Sequence, residues 1–335
     1  MTVPLSILDL ATIGPGETPR QSLEGSVALA RLAEARGYRR VWYAEHHNMP
    51  RIASSATSVL IAHVAANTSS IRVGAGGIML PNHSPLTIAE QFGTLETLHP
   101  GRIDLGLGRA PGTDEKTLYA LRRDPRSAES FPYDVQELQG YLTGRSLVPD
   151  VEAVPGRGTN VPLYILGSSL FGAKLAAALG LPYAFASHFA PNALQDAVAL
   201  YRREFRPSEQ LDRPYVIAAV NVIAADTEEE AQRQLRIVKR QRVKWLLGRG
   251  QNLTDEQADE ILAAPHGQQI EHMVKYTAVG TPAAVKEYLD WFTAHADADE
   301  LIVAHQSPTI EQRLRSVDLL ADGVGLATSH RSLDS

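Results

Sequence analysis

The chain has 335 residues, 44% of them hydrophobic, which is enough apolar material for one large domain, and its formal net charge is −6. This mildly acidic balance without a basic tract predicts neither a nucleic acid nor a membrane as a partner. The absence of cysteine excludes disulfides, thiolate metal sites and a thiol nucleophile. The first residues lack the pattern of a signal peptide and no apolar run reaches about 18 residues, so we expect a cytoplasmic protein.

Strand and helix patterns alternate along the whole chain. Eight strands are predicted, over residues 4–10, 40–44, 71–74, 102–107, 163–166, 183–186, 215–224 and 300–304. The predicted helices between them cover residues 19–36, 54–67, 85–98, 133–143, 170–179, 192–205, 227–247, 281–293 and 309–320. Repeated strand–helix units of this kind form parallel sheets.

The order of these elements predicts an α/β fold, namely a single (β/α)₈ TIM barrel domain over residues 1–335. Two irregular stretches, at about 112–160 and 248–278, are predicted as insertions after strands 4 and 7. A doubly wound open sheet is the alternative, because a sequence pattern does not by itself show that a sheet closes.

Candidate site residues follow from this fold, since barrel enzymes place their chemistry at the carboxyl ends of the strands. The strand in RIDLGLGRAPG (102–112) ends in glycines, which would let a flat ligand approach the bare backbone. Arg109 follows directly and would suit an anionic ligand. A glycine-softened strand end with a solvated arginine is the competing interpretation, and a dinucleotide fingerprint is a weak third one.

A second candidate lies after strand 5, where Gly167, Ser168 and Ser169 precede a predicted helix. Free amides and a partial positive charge at a helix N-terminus form a seat for an anion. Ordinary N-capping by serine would produce the same pattern. If Arg109 faces the same cavity, a guanidinium and a helix N-terminus bracket one phosphate.

Two adjacent histidines, His46 and His47, end the second strand. Imidazole exchanges protons near pH 7, which suits acid–base catalysis. Either histidine could instead hydrogen-bond a loop, and a metal site is not indicated, because strand alternation sends the two rings to opposite faces. The histidines outside the ends of the second, third and sixth strands, including His305, are interpreted as surface or helix residues.

Several motifs together resemble the luciferase-like, flavin-dependent monooxygenase family, and within it the first group of unassigned oxidoreductases. They are AEHH (44–47), VGAGGIMLPNHSP (73–85), GR (101–102) with GLGR (106–109), and VGTP (279–282). The resemblance covers residues 4–320, and its motifs are specific as a set.

The resemblance implies a TIM barrel that binds FMN at its mouth, with reduced flavin supplied by a separate NAD(P)H:flavin reductase. It places His46 at the catalytic histidine. Arg109 and Ser169 fall on phosphate contacts, with Gly167 and Ser168 in the same cofactor-binding turn. Gly76 and Gly77 fall beneath the flavin ring, where the family often has a non-proline cis peptide.

We therefore expect a flavin-dependent oxidoreductase, namely a monooxygenase that uses FMNH₂ and O₂ on a small organic substrate. An F420-dependent reductase and a non-catalytic flavin-binding paralogue are alternatives on the same fold. A phosphosugar isomerase is a further alternative and would need Asp9 or Glu45 as its base. Between Ala56 and Ala66 the second predicted helix carries apolar residues all round, namely Val59, Leu60, Ile61, Ala62, Val64 and Ala65. This pattern predicts a homodimer built on the helix, with Ile61 as the residue to test.

Overall fold

The computed structural model describes residues 3–110, 113–248 and 252–326. Its strands are β1 (Leu5–Asp9), β2 (Arg40–Tyr43), β3 (Arg72–Met79), β4 (Ile103–Gly108), β5 (Leu163–Gly167), β6 (Tyr183–Phe185), β7 (Val216–Ala224), β8 (Thr277–Gly280) and β9 (Glu300–His305). Its helices are α1 (Pro19–Ala35), α2 (Thr57–Ala66), α3 (Pro85–Leu98), α4 (Glu115–Ala120), α5 (Phe131–Thr143), α6 (Leu170–Leu179), α7 (Leu194–Glu204), α8 (Glu228–Leu246), α9 (Asp255–Ala263), α10 (Gln268–Met273), α11 (Pro282–His295) and α12 (Ile310–Val324). Among these described helices, none has the length and apolar character needed to cross a bilayer.

Eight of the strands form a closed parallel barrel in the order β1, β2, β3, β4, β5, β6, β7, β9. The barrel closes because β9 pairs with both β7 and β1. The predicted (β/α)₈ fold is thus confirmed, and the open sheet is rejected. All eight predicted strands coincide with barrel strands. The largest difference is in β3, which pairs with β4 as far as Met79 despite its glycines.

The strand β8 was not predicted and lies outside the barrel ring. It pairs with the last four residues of β7. The three-residue β6 pairs with the beginning of the same edge of β7 and ends before these four residues. An uncovered strand edge presents unpaired backbone groups. The strand β8 therefore covers the part of the β7 edge that β6 leaves unpaired. Because this unpaired edge exists only once β6 and β7 have paired, no local sequence pattern around residue 277 predicts β8.

The boundaries of the predicted helices agree with the structure to within four residues, because the sequence marks many of them chemically. Capping boxes begin α1, where Thr18 and Gln21 exchange hydrogen bonds, and α12, where Thr309 and Gln312 do the same. The helix α6 ends at Gly180, which adopts the left-handed conformation with φ +63°. Within the predicted insertions the structure contains α4 and α5, and then α9 and α10.

The amino ends of the barrel strands are plugged by a buried cluster of charges. Arg40 in β2 lies 2.8 Å from an Asp104 carboxylate oxygen and 3.0 Å from a Glu300 carboxylate oxygen. Tyr164 accepts a further hydrogen bond from Arg40 at 2.7 Å. Removing one member of such a cluster leaves an uncompensated buried charge. The cluster thus closes this end of the barrel and leaves the carboxyl ends for ligands.

The helix α2 buries most of its apolar residues within its own chain. Leu60, Ile61 and Val64 are at most 6% exposed, whereas Val59 is 67% exposed. The expectation that Ile61 could report on a dimer interface is therefore wrong, because a charge at this position would disrupt the core. The face that remains available to a second subunit is the one that carries Val59.

Candidate active site

A cavity of about 580 Å³ opens at the carboxyl ends of the barrel strands. Each barrel strand contributes to its lining, from Leu8 in β1 around to His305 in β9. Apolar side chains make up most of the wall. Its volume is typical of sites for small molecules and cofactors, and its position is that of TIM-barrel active sites.

The residues predicted from separate strand ends meet at this cavity. Six of the seven line it: His46, Gly76, Arg109, Gly167, Ser168 and Ser169. Gly77 is not a lining residue, because it packs against β4, where an added Cβ would lie 2.7 Å from the Gly106 carbonyl oxygen. The peptide bond between Gly76 and Gly77 is cis.

On the β4–β5 side, Arg109 stacks on an aromatic ring at the start of α6. Its guanidinium carbon lies 4.0 Å from the centre of the Phe171 ring, which holds the cation beside the first turn of the helix. Ser169 is the N-cap residue, yet its side chain makes no capping hydrogen bond. Ser168 and Ser169 are exposed, so their hydroxyl groups and the helix amides can face a ligand.

The charges around the cavity have one sign. Among the described residues, the lining contains no aspartate or glutamate. It does contain four arginines, Arg51, Arg109, Arg242 and Arg313. A low-dielectric cleft lined by charges of one sign attracts ligands of the opposite sign. The cavity is thus suited to a ligand that is largely apolar and carries at least one anionic group.

The two histidines after β2 have different surroundings, as their predicted alternation requires. The strand itself ends at Tyr43, but the side chain of His46 still lines the cavity. The backbone amide of His46 donates to Ser54 O at 3.0 Å. His47 Nε2 instead lies 2.8 Å from Glu45 Oε1, on the other side of the chain.

Glu45 is a structural carboxylate rather than a free base. Burial alone would raise its pKa, but hydrogen bonds with His47, His83 and Asn82 lower the pKa to about 2. The amide of Met79 also donates to Glu45 Oε2, at 2.9 Å. This carboxylate therefore fastens the ends of β2 and β3 together.

Asp9 accepts hydrogen bonds from the Ala11 amide at 2.8 Å and from Ser26 Oγ at 2.5 Å. Neither Asp9 nor Glu45 lines the cavity. The isomerase alternative thus lacks its base among the described residues.

Three lining residues had no role in the prediction from sequence. His305 was grouped with surface histidines, which is wrong: it is the last residue of β9, and it is 7% exposed. Its place at a strand end was the signal that could have identified it. His188 follows β6, and Arg242 lies on α8. Burial lowers the pKa of His188 to about 3, with smaller contributions from Arg242 and His46, and burial also lowers the pKa of His305 to about 3.

The glycines of β4 are required mainly by close packing within the barrel rather than by a ligand. A Cβ at Gly106 would lie 2.4 Å from Ala75 O and 2.6 Å from Leu166 Cδ1. Gly106 is thus bare because β3 and a β5 side chain already fill the space. Gly108 does line the cavity, but a Cβ there would meet the Met79 side chain at 2.8 Å. The expectation that the bare backbone of this strand receives a flat ligand is therefore wrong for Gly106.

Comparison with known proteins identifies the family. Residues 3–296 match the profile of the luciferase-like monooxygenases. A "Luciferase-like monooxygenase" of Escherichia coli (strain K12) is 47% identical over 324 residues, covering 96% of this chain and 97% of that protein. An "N-acetyl-S-alkylcysteine monooxygenase" of Bacillus subtilis (strain 168) is 33% identical over 337 residues, covering 96% and 98% of the two chains.

Solved structures show the same architecture. The crystal structure of apo-MsnO8 has a TM-score of 0.88 at 36% identity and covers 97% of this chain and 99% of that one. More distant likenesses, which bear on the fold alone, include the FMN complex of a diketocamphane monooxygenase (TM-score 0.73, 17% identity, 97% and 98% of the two chains). An F420-dependent secondary alcohol dehydrogenase has a TM-score of 0.68 at 16% identity, covering 97% and 99%. The chain belongs to the luciferase-like monooxygenase family.

Proposed function

We propose that this protein is a flavin-dependent monooxygenase that uses reduced FMN and O₂ to oxidise a small organic substrate. The family membership supports the reaction class. The observation that carries the cofactor assignment is the pairing of Arg109 with the first turn of α6, in a cavity whose described lining has no carboxylate. A guanidinium, hydroxyls and free helix amides together bind a phosphomonoester well.

The residues present fit FMN in two respects. Arg109, Ser168 and Ser169 would hold the phosphate at the β4–β5 side of the mouth. The interior next to Trp42 and Gly76 is apolar, and the cavity of about 580 Å³ leaves room for a ring. When bound, reduced FMN supplies the electrons that activate O₂, so that one oxygen atom enters the substrate.

The chain's own contribution is to orient the cofactor, exclude water and transfer a proton. The apolar wall performs the exclusion. We assign the proton transfer to His46, the cavity-lining imidazole at the end of β2. Because the pKa values of His188 and His305 are lowered to about 3, these two rings are neutral near pH 7 and would serve as hydrogen-bonding groups.

The cofactor class can be decided by titration under anaerobic conditions. We expect oxidised and reduced FMN to bind, and F420 to bind at least about tenfold more weakly. Mixing the loaded, reduced protein with ¹⁸O₂ and a panel of small organic substrates should then give a product that carries one labelled oxygen. Tight binding of F420 with no FMN binding would contradict the proposal. FMN binding without turnover of any substrate would favour the non-catalytic alternative.

We further propose that a separate NAD(P)H:flavin reductase supplies the reduced flavin and that the protein is a homodimer. The support for both is the family resemblance, and for the dimer also the exposed apolar position on α2. The protein alone should accordingly fail to oxidise NADH or NADPH in the presence of FMN. Steady oxidation by the purified chain would contradict a separate reductase.

A further inference from the structure

A second group of hydrogen-bond donors lines the cavity across the barrel from Arg109. It is formed by Arg242 on α8 and by residues 305–307 at the end of β9. In an eight-stranded ring, β9 lies four strands away from β4, so the two groups are on opposite sides of the mouth. One FMN phosphate cannot occupy both sides.

Arg242 has no acidic partner among the described residues. Its Nη2 atom donates to the neutral amide oxygen of Gln306 at 3.2 Å. Its Nη1 atom is buried and has no hydrogen-bond partner in the described structure. Burial lowers the pKa of Arg242 only to about 10, so the group is charged at neutral pH. The side chain as a whole is partly buried, and a cation withdrawn from water without a counter-charge is costly unless a ligand supplies one.

Arg313, another cavity arginine, provides the contrast. It donates to Thr12 O at 2.9 Å and lies 3.6 Å from the Glu17 carboxylate. Its charge is therefore balanced within the chain. The unbalanced charge on this side of the cavity belongs to Arg242.

His305 presents a donor to the same region. Ser316 Oγ accepts from the Ala224 amide at 3.0 Å and lies 2.8 Å from His305 Nδ1. Within the described structure, His305 Nδ1 is the only acceptor within reach of that hydroxyl proton, so Nδ1 accepts it and the proton of the neutral ring is on Nε2. Nε2 is buried without a partner, as is the hydroxyl of Ser307. Both residues line the cavity.

We propose that Arg242, with Gln306, His305 and Ser307, binds a carboxylate on the organic substrate. One cation among neutral donors matches a single negative charge. The neighbouring wall on the same side is apolar, with Val238 and the half-exposed Phe189 and Trp245. The substrate class is thus an organic acid whose apolar body lies against this wall. The inference rests on the proposed function and specifies its substrate.

The test compares carboxylates with their uncharged amides on the full chain, with and without FMN. Suitable pairs are hexanoate with hexanamide and 3-phenylpropanoate with 3-phenylpropanamide, with Kd measured by ligand-observed NMR. We expect the wild type to prefer at least one carboxylate by about tenfold or more, and Arg242→Met to abolish the preference. Arg236→Met, at an exposed position of the same helix, is the matched control and should keep it.

Ser307→Ala, which removes only a buried hydroxyl, is the second variant and should reduce the preference about threefold to tenfold. Equal binding of acid and amide to the wild type, or an unchanged preference in both variants, would overturn the inference. So would a tenfold loss of FMN binding in Arg242→Met with riboflavin binding spared, because Arg242 would then hold the cofactor phosphate. Measurements without FMN remain informative if FMN fails to bind, so the two proposals fail separately.

Discussion

At the residue scale, His46 and His47 show how neighbouring side chains of one type acquire different chemistry. His46 faces the cavity, whereas His47 is engaged with the buried Glu45 carboxylate at 2.8 Å. Of these two histidines, only His46 lines the cavity at the strand ends. The proposed proton transfer is therefore specific to one of two adjacent imidazoles, and a matched pair of substitutions separates them.

We expect His46→Ala to bind FMN nearly as well as the wild type while oxygen-dependent substrate oxidation falls by about 10²–10⁴-fold, the usual loss when a general acid–base is removed. His47→Ala should reduce the rate much less. The measurement is turnover with chemically reduced FMN, beside an FMN titration of each variant. Normal turnover in His46→Ala, or equal losses in both variants, would contradict the assignment.

Glu45 gives a prediction about stability and pH. Because its pKa in the folded protein is about 2, below the ordinary 4.5, its ionised form stabilises the fold above pH 4.5, and this contribution is lost as the pH falls towards 2. In Glu45→Gln, the side-chain NH₂ group would face hydrogen-bond donors in either orientation of the amide. These donors are the groups now bound to Oε1 or the Met79 amide now bound to Oε2. We expect the substitution to lower the free energy of unfolding by about 1–3 kcal/mol at pH 7.

Urea unfolding of the wild type and of Glu45→Gln at pH 7, 5, 4 and 3 checks this. The difference between the two proteins should be constant from pH 7 to 5 and shrink below pH 4.5. A difference that stays the same at pH 3 would show that the loss is steric and that the ionised carboxylate is not its cause.

The site residues that could be predicted from the sequence are those that immediately follow a strand. His46, Arg109 and Ser169 are marked in this way, because in a barrel the carboxyl end of each strand faces the mouth. His305 carried the same mark and was missed. Arg242 carried none, since nothing local indicates that a charged residue near the end of a long helix turns towards the cavity and lacks an acidic partner.

At the element scale, α2 shows the limit of judging a helix by composition. Its apolar residues lie all round the helix, but the chain itself buries five of the ten helical residues, including Ile61 at 0% exposure. The boundaries of such helices are predictable because capping residues and glycines are local signals. The partner of each face is decided by tertiary packing. The exposed face of α2 that a second subunit could contact is centred on Val59.

We expect Val59→Asp to convert the proposed homodimer into a monomer without loss of helical structure, because this side chain makes no core contact that the charge would break. Val154→Asp, at a position that is 72% exposed, is the control and should remain dimeric. Sedimentation velocity gives the mass, and circular dichroism gives the helix content. A dimeric Val59→Asp protein would place the interface elsewhere.

At the scale of the whole molecule, the two ends of the barrel have opposite characters. The amino end is filled by the Arg40 cluster, in which Arg40 and Arg72 lie against the Asp104 and Glu300 carboxylates, so that positive and negative charges balance. The carboxyl end holds a cavity whose described lining includes arginines but no acid. Eight strand–helix units predicted a barrel, although the pattern did not by itself show closure of the sheet. The separation of balanced and unbalanced charge could not be predicted, because it depends on which strand positions point inward at each level.

The central claim is that the unbalanced positive charge at the β4–β5 side is a seat for the FMN phosphate. Titration of the wild type and of Arg109→Ala with FMN and with riboflavin tests it most directly. A charge-assisted contact of this kind is worth about 1.5–3 kcal/mol. The substitution should therefore weaken FMN binding about 10- to 100-fold and leave riboflavin binding nearly unchanged. Equal losses for the two ligands, or no loss for FMN, would contradict the claim.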